Sequence, residues 1–207
     1  MTRGRLITIE GLDGAGKTTL VGALAGALHE RGREVFVLRE PGGVALSEHI
    51  RELVKDAALA MEPRAEALLY AAARAQLVAE QLRPLLEAGD WVLLDRFVDS
   101  SLAYQGAGRG LGVAEVRRLN QFGTGGLMPD RTLLLRIDAA AGLARVAGRP
   151  EDADRLEREE AAFFDRVAQA YDELAAAEPD RIAVIDAAQD PAAVLADAVA
   201  AVEPLLG

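Results

Sequence analysis

Gly11-Leu12-Asp13-Gly14-Ala15-Gly16-Lys17-Thr18 decides how this chain is read. The stretch fits the spacing G-x-x-x-x-G-K-[ST], with an apolar run, Leu6 to Glu10, before it and a helix-prone run, Thr18 to Glu30, after it. Its glycines permit tight turns, so successive backbone N–H groups can converge on one anion, and the positive end of the following helix faces the same point. In that setting the backbone from Gly11 to Thr18 is expected to cradle the phosphates of a nucleoside triphosphate. Lys17 is expected to stand open to the ligand and reach the outer phosphates, while the Thr18 hydroxyl ligates Mg²⁺. An ordinary glycine-rich turn has no need of a lysine, and this chain uses only two lysines against 21 arginines.

Outward from that stretch, four more short apolar runs read as buried strands: Glu34 to Leu38, Trp91 to Asp95, Thr132 to Ile137 and Ile182 to Ile185. Between them lie runs with helical spacing or propensity: Ala45 to Ala57, Arg64 to Glu87, Val113 to Phe122, Asp154 to Ala176 and Pro191 to Pro204. Strands apolar on both faces, alternating with helices, predict a three-layer α/β P-loop NTPase fold. It would have a five-stranded parallel sheet flanked by helices and one domain over 1–207. Arg136, a charge inside the fourth run, implies that this strand end is partly exposed or paired.

The totals narrow the function. A net charge of −10 disfavours a general polyanion binder, though one pocket can still be locally positive. The chain has no cysteine, which excludes disulfides, thiolate metal sites and a cysteine nucleophile. No apolar run approaches the ~18 residues of a membrane helix. The strand-like run starts within a few residues of Met1, leaving no room for a signal peptide, so a soluble cytoplasmic protein is expected.

Ligands of such sheets bind beyond the carboxyl ends of the strands. Those ends carry the P-loop, Arg39-Glu40-Pro41-Gly42-Gly43, Asp95-Arg96-Phe97 and the lip Asp186-Ala187-Ala188-Gln189. Asp95 is placed to support Mg²⁺ through its water shell, and Arg96 to neutralise a phosphate, although a surface ion pair has the same appearance. Tyr70 and Arg74, four apart, share a helix face. They could stack and hydrogen-bond a base, or be a half-buried tyrosine beside a snorkelling arginine. Ser100 to Gln105 returns polar groups to the same cleft.

Together these segments resemble the thymidylate kinase family over nearly the whole chain, from Ile9-Glu10-Gly11 to Ile185-Asp186-Ala187, with Pro129-Asp130 and Asp154-Arg155-Leu156-Glu157 as further landmarks. The resemblance implies a nucleoside monophosphate kinase-like transferase that moves the γ-phosphate of ATP to thymidine 5′-monophosphate (dTMP) with Mg²⁺, usually as a homodimer. It implies that Asp13 contacts the sugar 3′-hydroxyl and that Arg96, helped by Arg39 and Glu40, binds the acceptor phosphate. Tyr70 would stack on thymine; Arg74, Ser101 and Gln105 would read its edge, and Tyr104 would lie against the sugar. Family members carry a basic residue either in the P-loop or on a lid. Gly14 stands at the P-loop position here, so a lid at about 145–156 must supply the charge, through Arg149 first and Arg155 second. Phe97 stands where tyrosine is commoner, and Tyr70 where phenylalanine is.

Two other readings remain at this level. Another nucleoside or nucleotide kinase would need a general base for a neutral hydroxyl, for which Glu10 or Asp95 could be recruited. A P-loop switch or assembly protein would carry switch motifs, and none is apparent.

Overall fold

Leu6–Gly11 (β1) is buried at every position, as a strand covered on both faces requires. The computed structural model describes residues 3–148 and 154–206. In it, β1 lies at the centre of a parallel sheet of order β2-β3-β1-β4-β5, formed with Val35–Arg39 (β2), Trp91–Asp95 (β3), Arg131–Arg136 (β4) and Ile182–Asp186 (β5). The five expected strands are all present, each within about a residue of its predicted span. Arg136 ends its strand exposed and paired to Asp172 at 2.8 Å, as its charge required.

On one face Lys17–His29 (α1) and Pro191–Val202 (α9) pack together, α1 on β1 to β3 and α9 on β4 and β5. Ala161–Ala177 (α8) covers β4 and β5 from the other face. The side chains between these layers, among them Leu6, Ile9, Leu24, Leu93, Leu94 and Leu133, are wholly buried. Ala45–Lys55 (α2), Pro63–Leu77 (α3) and Val113–Thr124 (α6) form a row in which α3 touches both neighbours.

The sheet order matters for the site. β1 pairs with β3 on one side and β4 on the other, so the strand order reverses at the P-loop strand and a crevice opens there. Asp95 lies opposite both Ile9 and Arg39, which brings the P-loop, Arg96 and the Arg39–Gly43 turn out side by side.

The helices depart from expectation in four places. The predicted helix from Arg64 to Glu87 is α3, a π-helical turn at Val78–Leu82, and a short α4 at Arg83–Ala88. Pro84 explains the break: it has no N–H, and its ring would clash with the carbonyl four residues back in a regular α-helix. Ala139–Ala147 (α7) was not expected, because nine residues interrupted by Gly142 make too short a pattern to stand out between β4 and the glycine- and proline-punctuated stretch after it. The helix predicted from Asp154 begins only at Ala161, because Asp154 instead folds a local turn, its Oδ1 accepting the N–H groups of Leu156 and Glu157. A further helical segment, Val98–Ser101 (α5) running into a π-helical Leu102–Gly108, occupies the stretch read only as polar groups near the cleft.

Candidate active site

Beyond the carboxyl ends of β1, β2 and β3 lies a cavity of about 540 Å³ lined from the P-loop, the Arg39–Gly43 turn, α2, α3, the Asp95–Gln105 segment and residues 154–157. Asp13, Gly14, Gly16, Lys17 and Thr18 face it. Gly11, Leu12 and Ala15 do not: the Leu12 and Ala15 side chains are buried in the core, so these three positions offer backbone only. Gly14 has φ +81°, and a Cβ there would stand 2.3 Å from the carbonyl oxygen of Gly142 on α7. No side chain fits at Gly14 while α7 holds this position, so this P-loop cannot carry a basic residue there.

Lys17 corrects the expectation of an open side chain. It borders the cavity but is only 8% exposed, with Nζ donating to the carbonyls of Leu12 (2.9 Å) and Gly11 (3.2 Å). Burial, and next the charge of Arg96, bring its pKa down to about 8, despite Asp13, Asp95 and Glu10 nearby. An arriving polyphosphate must favour the charged form and bind it most tightly below that value. The KM for a nucleoside triphosphate is therefore expected to be flat up to about pH 8 and to rise as the pH climbs beyond it. A pH series of initial rates checks this; a KM that keeps falling through pH 9 would contradict it.

Asp13, Arg96 and Tyr104 form one cluster. Arg96 Nη2 donates to Asp13 Oδ1 at 2.6 Å, its Nη1 donates to the Gly11 carbonyl and the Ser100 hydroxyl, and its guanidinium lies over the Tyr104 ring at 5.2 Å. The Tyr104 hydroxyl is 3.4 Å from Asp13 Oδ2. Burial works against ionising Asp13, but Arg96 and Lys17 outweigh it and hold the carboxyl below the ordinary carboxylate range. Arg96 sits at φ +68°, the one non-glycine residue with positive φ among those described, and such strain concentrates at functional sites. Glu10 holds the turn from below, accepting from the Phe97 N–H, the Ser100 hydroxyl and the Tyr171 hydroxyl. Burial, then the charge of Asp99, raises its pKa.

Tyr70, Arg74, Ser101 and Gln105 meet on the other side of the cavity. Arg74 is no snorkelling cation: at 2% exposure it donates to Glu40 (2.7 Å), Ser101 (2.9 Å), Asn120 and the Phe97 carbonyl (2.9 Å). Glu40 also borders the cavity but is a buried partner of Arg74, and burial lifts its carboxyl to about 7 against the pull of Arg74. Arg39 borders the cavity, with Nη2 on Glu48 at 2.8 Å. Phe97 is wholly buried beneath Arg74, so a hydroxyl there would have no place in water.

Arg155 does not line the cavity. Its Nε donates to the Val54 carbonyl and its Nη2 lies 2.6 Å from Glu66, so it anchors the lid root instead of offering a free charge. Arg149 lies outside the described residues. Thr18 and Asp95 both face the cavity, and Asp95 Oδ1 is buried without a hydrogen-bond partner among the described residues. A hydroxyl and an orphaned carboxylate oxygen beside a phosphate cradle fit a hard cation whose remaining ligands are water and phosphate.

Three contributors escaped the sequence reading. Arg51 borders the cavity and donates to the Pro41 carbonyl, and its i,i+4 spacing from Lys55, which also lines the wall, was the available signal. Asn120 lies on the buried stripe Val116, Asn120, Thr124 of α6, where a polar residue was a legible anomaly. Glu66 is wholly buried one turn before Tyr70.

Comparisons with known proteins agree with this geometry. Residues 9–198 match the thymidylate kinase family model. The thymidylate kinase of Deinococcus radiodurans is 52% identical over 187 residues, covering 90% of each chain. That of Lactobacillus delbrueckii subsp. bulgaricus is 51% identical over 191 residues (91% of this chain, 90% of the relative), and that of Halalkalibacterium halodurans 45% over 201, covering 96% of each. With a model that spans most of its length and relatives this similar from end to end, the chain belongs to the thymidylate kinase family.

Proposed function

We infer that the chain transfers the γ-phosphate of ATP to dTMP, giving dTDP and ADP. The observation that carries the reading is the two-sided cavity, with a P-loop and Lys17 at one end and Tyr70, Arg74, Ser101 and Gln105 at the other, joined by Asp13 and Arg96. The acceptor is a phosphate oxygen already ionised near neutral pH, so the protein has only to align two anions and offset their repulsion. Lys17 and the P-loop N–H groups bind the donor phosphates. Arg96 binds the acceptor phosphate with Arg39 and Arg51 nearby, and Asp13 holds Arg96 while accepting from the sugar 3′-hydroxyl. Tyr104 packs on the sugar, and Tyr70 stacks on the base. Arg74 already makes four hydrogen bonds, so it would reach the base by releasing one of them, most simply the one to Ser101, which also faces the cavity.

Thr18 and Asp95 would hold Mg²⁺, which when bound offsets phosphate charge. The lid cation we assign to Arg149, because Gly14 admits no side chain and the described lid root, residues 154–157, already borders the cavity. Among the described residues no helix is long and apolar enough to cross a membrane; the supply of ATP favours the cytoplasm. We also propose a homodimer through the row α2, α3 and α6, where Leu46, Leu53, Leu68 and Phe122 stand exposed, Phe122 by 91%. Sedimentation at two concentrations tests this, and a monomer throughout would refute it.

A kinase using Glu10 as general base is disfavoured: Glu10 is wholly buried, its oxygens are occupied by Phe97, Ser100 and Tyr171, and it does not face the cavity. ATP-dependent ADP release against a panel of nucleosides and nucleoside monophosphates is the direct test. Turnover is expected with dTMP, and a preference for an unphosphorylated nucleoside would overturn the assignment.

A further inference from the structure

Glu66 is a carboxylate with no exposure, set behind the wall of the nucleotide cavity rather than in it. Its Oε1 accepts from Gln105 Nε2 at 2.9 Å, Arg109 lies across both its oxygens at 3.0 to 3.2 Å, and Arg155 Nη2 is 2.6 Å from Oε2. Burying a carboxylate is costly unless it is paired, and two arginines pair this one. Charge balance does not account for the glutamine.

The consequence for Gln105 follows from donor and acceptor chemistry. An ionised carboxylate only accepts, so the side-chain amide must turn its NH₂ to Glu66 and keep its carbonyl oxygen for the cavity it borders. The polar edge of thymine carries two acceptor oxygens and a single donor, N3–H. An acceptor offered by Gln105 therefore matches N3–H, while the donors of Arg74 match O4. Cytosine reverses both, presenting an unprotonated N3 and an amino group, and would leave buried polar groups unpaired. Uracil presents the same edge as thymine.

The same carboxylate reaches the lid. Asp154, Leu156 and Glu157 line the cavity, while Arg155 between them turns into Glu66 and Val54. Glu66 thus stands behind both the base-reading wall and the root of the lid wall.

We propose that Glu66 is a positioning residue that fixes Gln105 as a hydrogen-bond acceptor, and so makes the enzyme select an N3-protonated pyrimidine, while anchoring the 154–157 segment of the cavity wall through Arg155. The proposal rests on the assignment of the base to Tyr70, Arg74 and Gln105.

Its test compares kcat/KM of the full chain for dTMP, dUMP and dCMP with saturating ATP. Glu66→Gln, which lets the Gln105 amide turn over, is expected to lower the dTMP:dCMP ratio by about tenfold or more, with the dTMP:dUMP ratio and the KM for ATP changed by less than about twofold. Arg155→Met is expected to slow turnover with every acceptor and leave the ratios alone. An unchanged dTMP:dCMP ratio in Glu66→Gln, with activity falling equally on all three acceptors, would mean a merely structural carboxylate and overturn the proposal. Glu66→Asp keeps the buried charge but draws the carboxylate back from Gln105, and gives a second reading if the glutamine variant does not fold. Gln105→Ala separates the two levels. If it lowers the dTMP:dCMP ratio while Glu66→Gln and Glu66→Asp do not, only the positioning role fails; if it leaves the ratio intact, the base assignment fails and the proposal with it.

Discussion

Lys17→Met is expected to cut kcat for phosphoryl transfer by about 10³-fold while the chain stays folded. The ammonium is buried and held at a pKa of about 8, below its ordinary value, first by burial and then by Arg96. The fold therefore tolerates this charge rather than depending on it. Removing it relieves repulsion with Arg96 and leaves the Leu12 carbonyl without a donor from Lys17, while the Gly11 carbonyl keeps the N–H of Arg96. These effects oppose one another, so the unfolding midpoint should move little. The transferring phosphoryl group has no such compensation, because a missing cation is costly where charge develops in the transition state. Single-turnover ADP release and a thermal melt on the same sample check both halves. A variant that turns over within about tenfold of the parent would remove the P-loop lysine from the chemistry.

The contrast between Lys17 and its surroundings shows how much of the site could be read from the chain. A phosphate cradle is contiguous, so glycine spacing, one lysine and a strand before a helix were sufficient. Strands were legible because β1, β3 and β4 are apolar on both faces. The meeting of Asp13 with Arg96 was not legible by physics alone, since it depends on β1 and β3 being neighbours, 83 residues apart at the paired side chains. Sequence patterns place each residue at a strand end but do not order the strands. The resemblance to a family assigned Asp13 and Arg96 to one site without ordering the strands; the order β2-β3-β1-β4-β5 came from the fold.

What stayed hidden was of two kinds. Local signals fell short in two places: α7 is only nine residues long and broken by Gly142, and Leu102–Gly108 winds as a π-helix that turns Tyr104 and Gln105 into the cavity. Other roles are defined only by partners far along the chain. Nothing in the sequence marks Arg74 as the buried partner of Glu40, or Glu66 as the carboxylate beneath Arg155.

Arg74→Ala is accordingly expected to do two separable kinds of damage. It removes a donor for the base edge, weakening dTMP by about 10²-fold or more while changing ATP affinity by less than about threefold. It also strands Glu40, which is 5% exposed and has one oxygen already without a hydrogen-bond partner among the described residues. Breaking a buried ion pair from one side costs about 3–5 kcal/mol. Glu40 can soften that loss by taking up a proton, for burial has already brought its pKa to about 7 and the missing guanidinium was the influence opposing burial. With Arg74 gone the Glu40 pKa rises further, so the variant should be least stable where Glu40 is forced to ionise, on the alkaline side, and should recover as the pH falls toward 7. Adding Glu40→Gln should then restore most of the stability without restoring dTMP binding, because the glutamine needs no cation but supplies nothing to the base. Denaturant melts of the single and double variants, with calorimetric titrations of dTMP and ATP, resolve the two effects. Equal losses of affinity for both nucleotides would take Arg74 out of base recognition and leave it a structural cation alone.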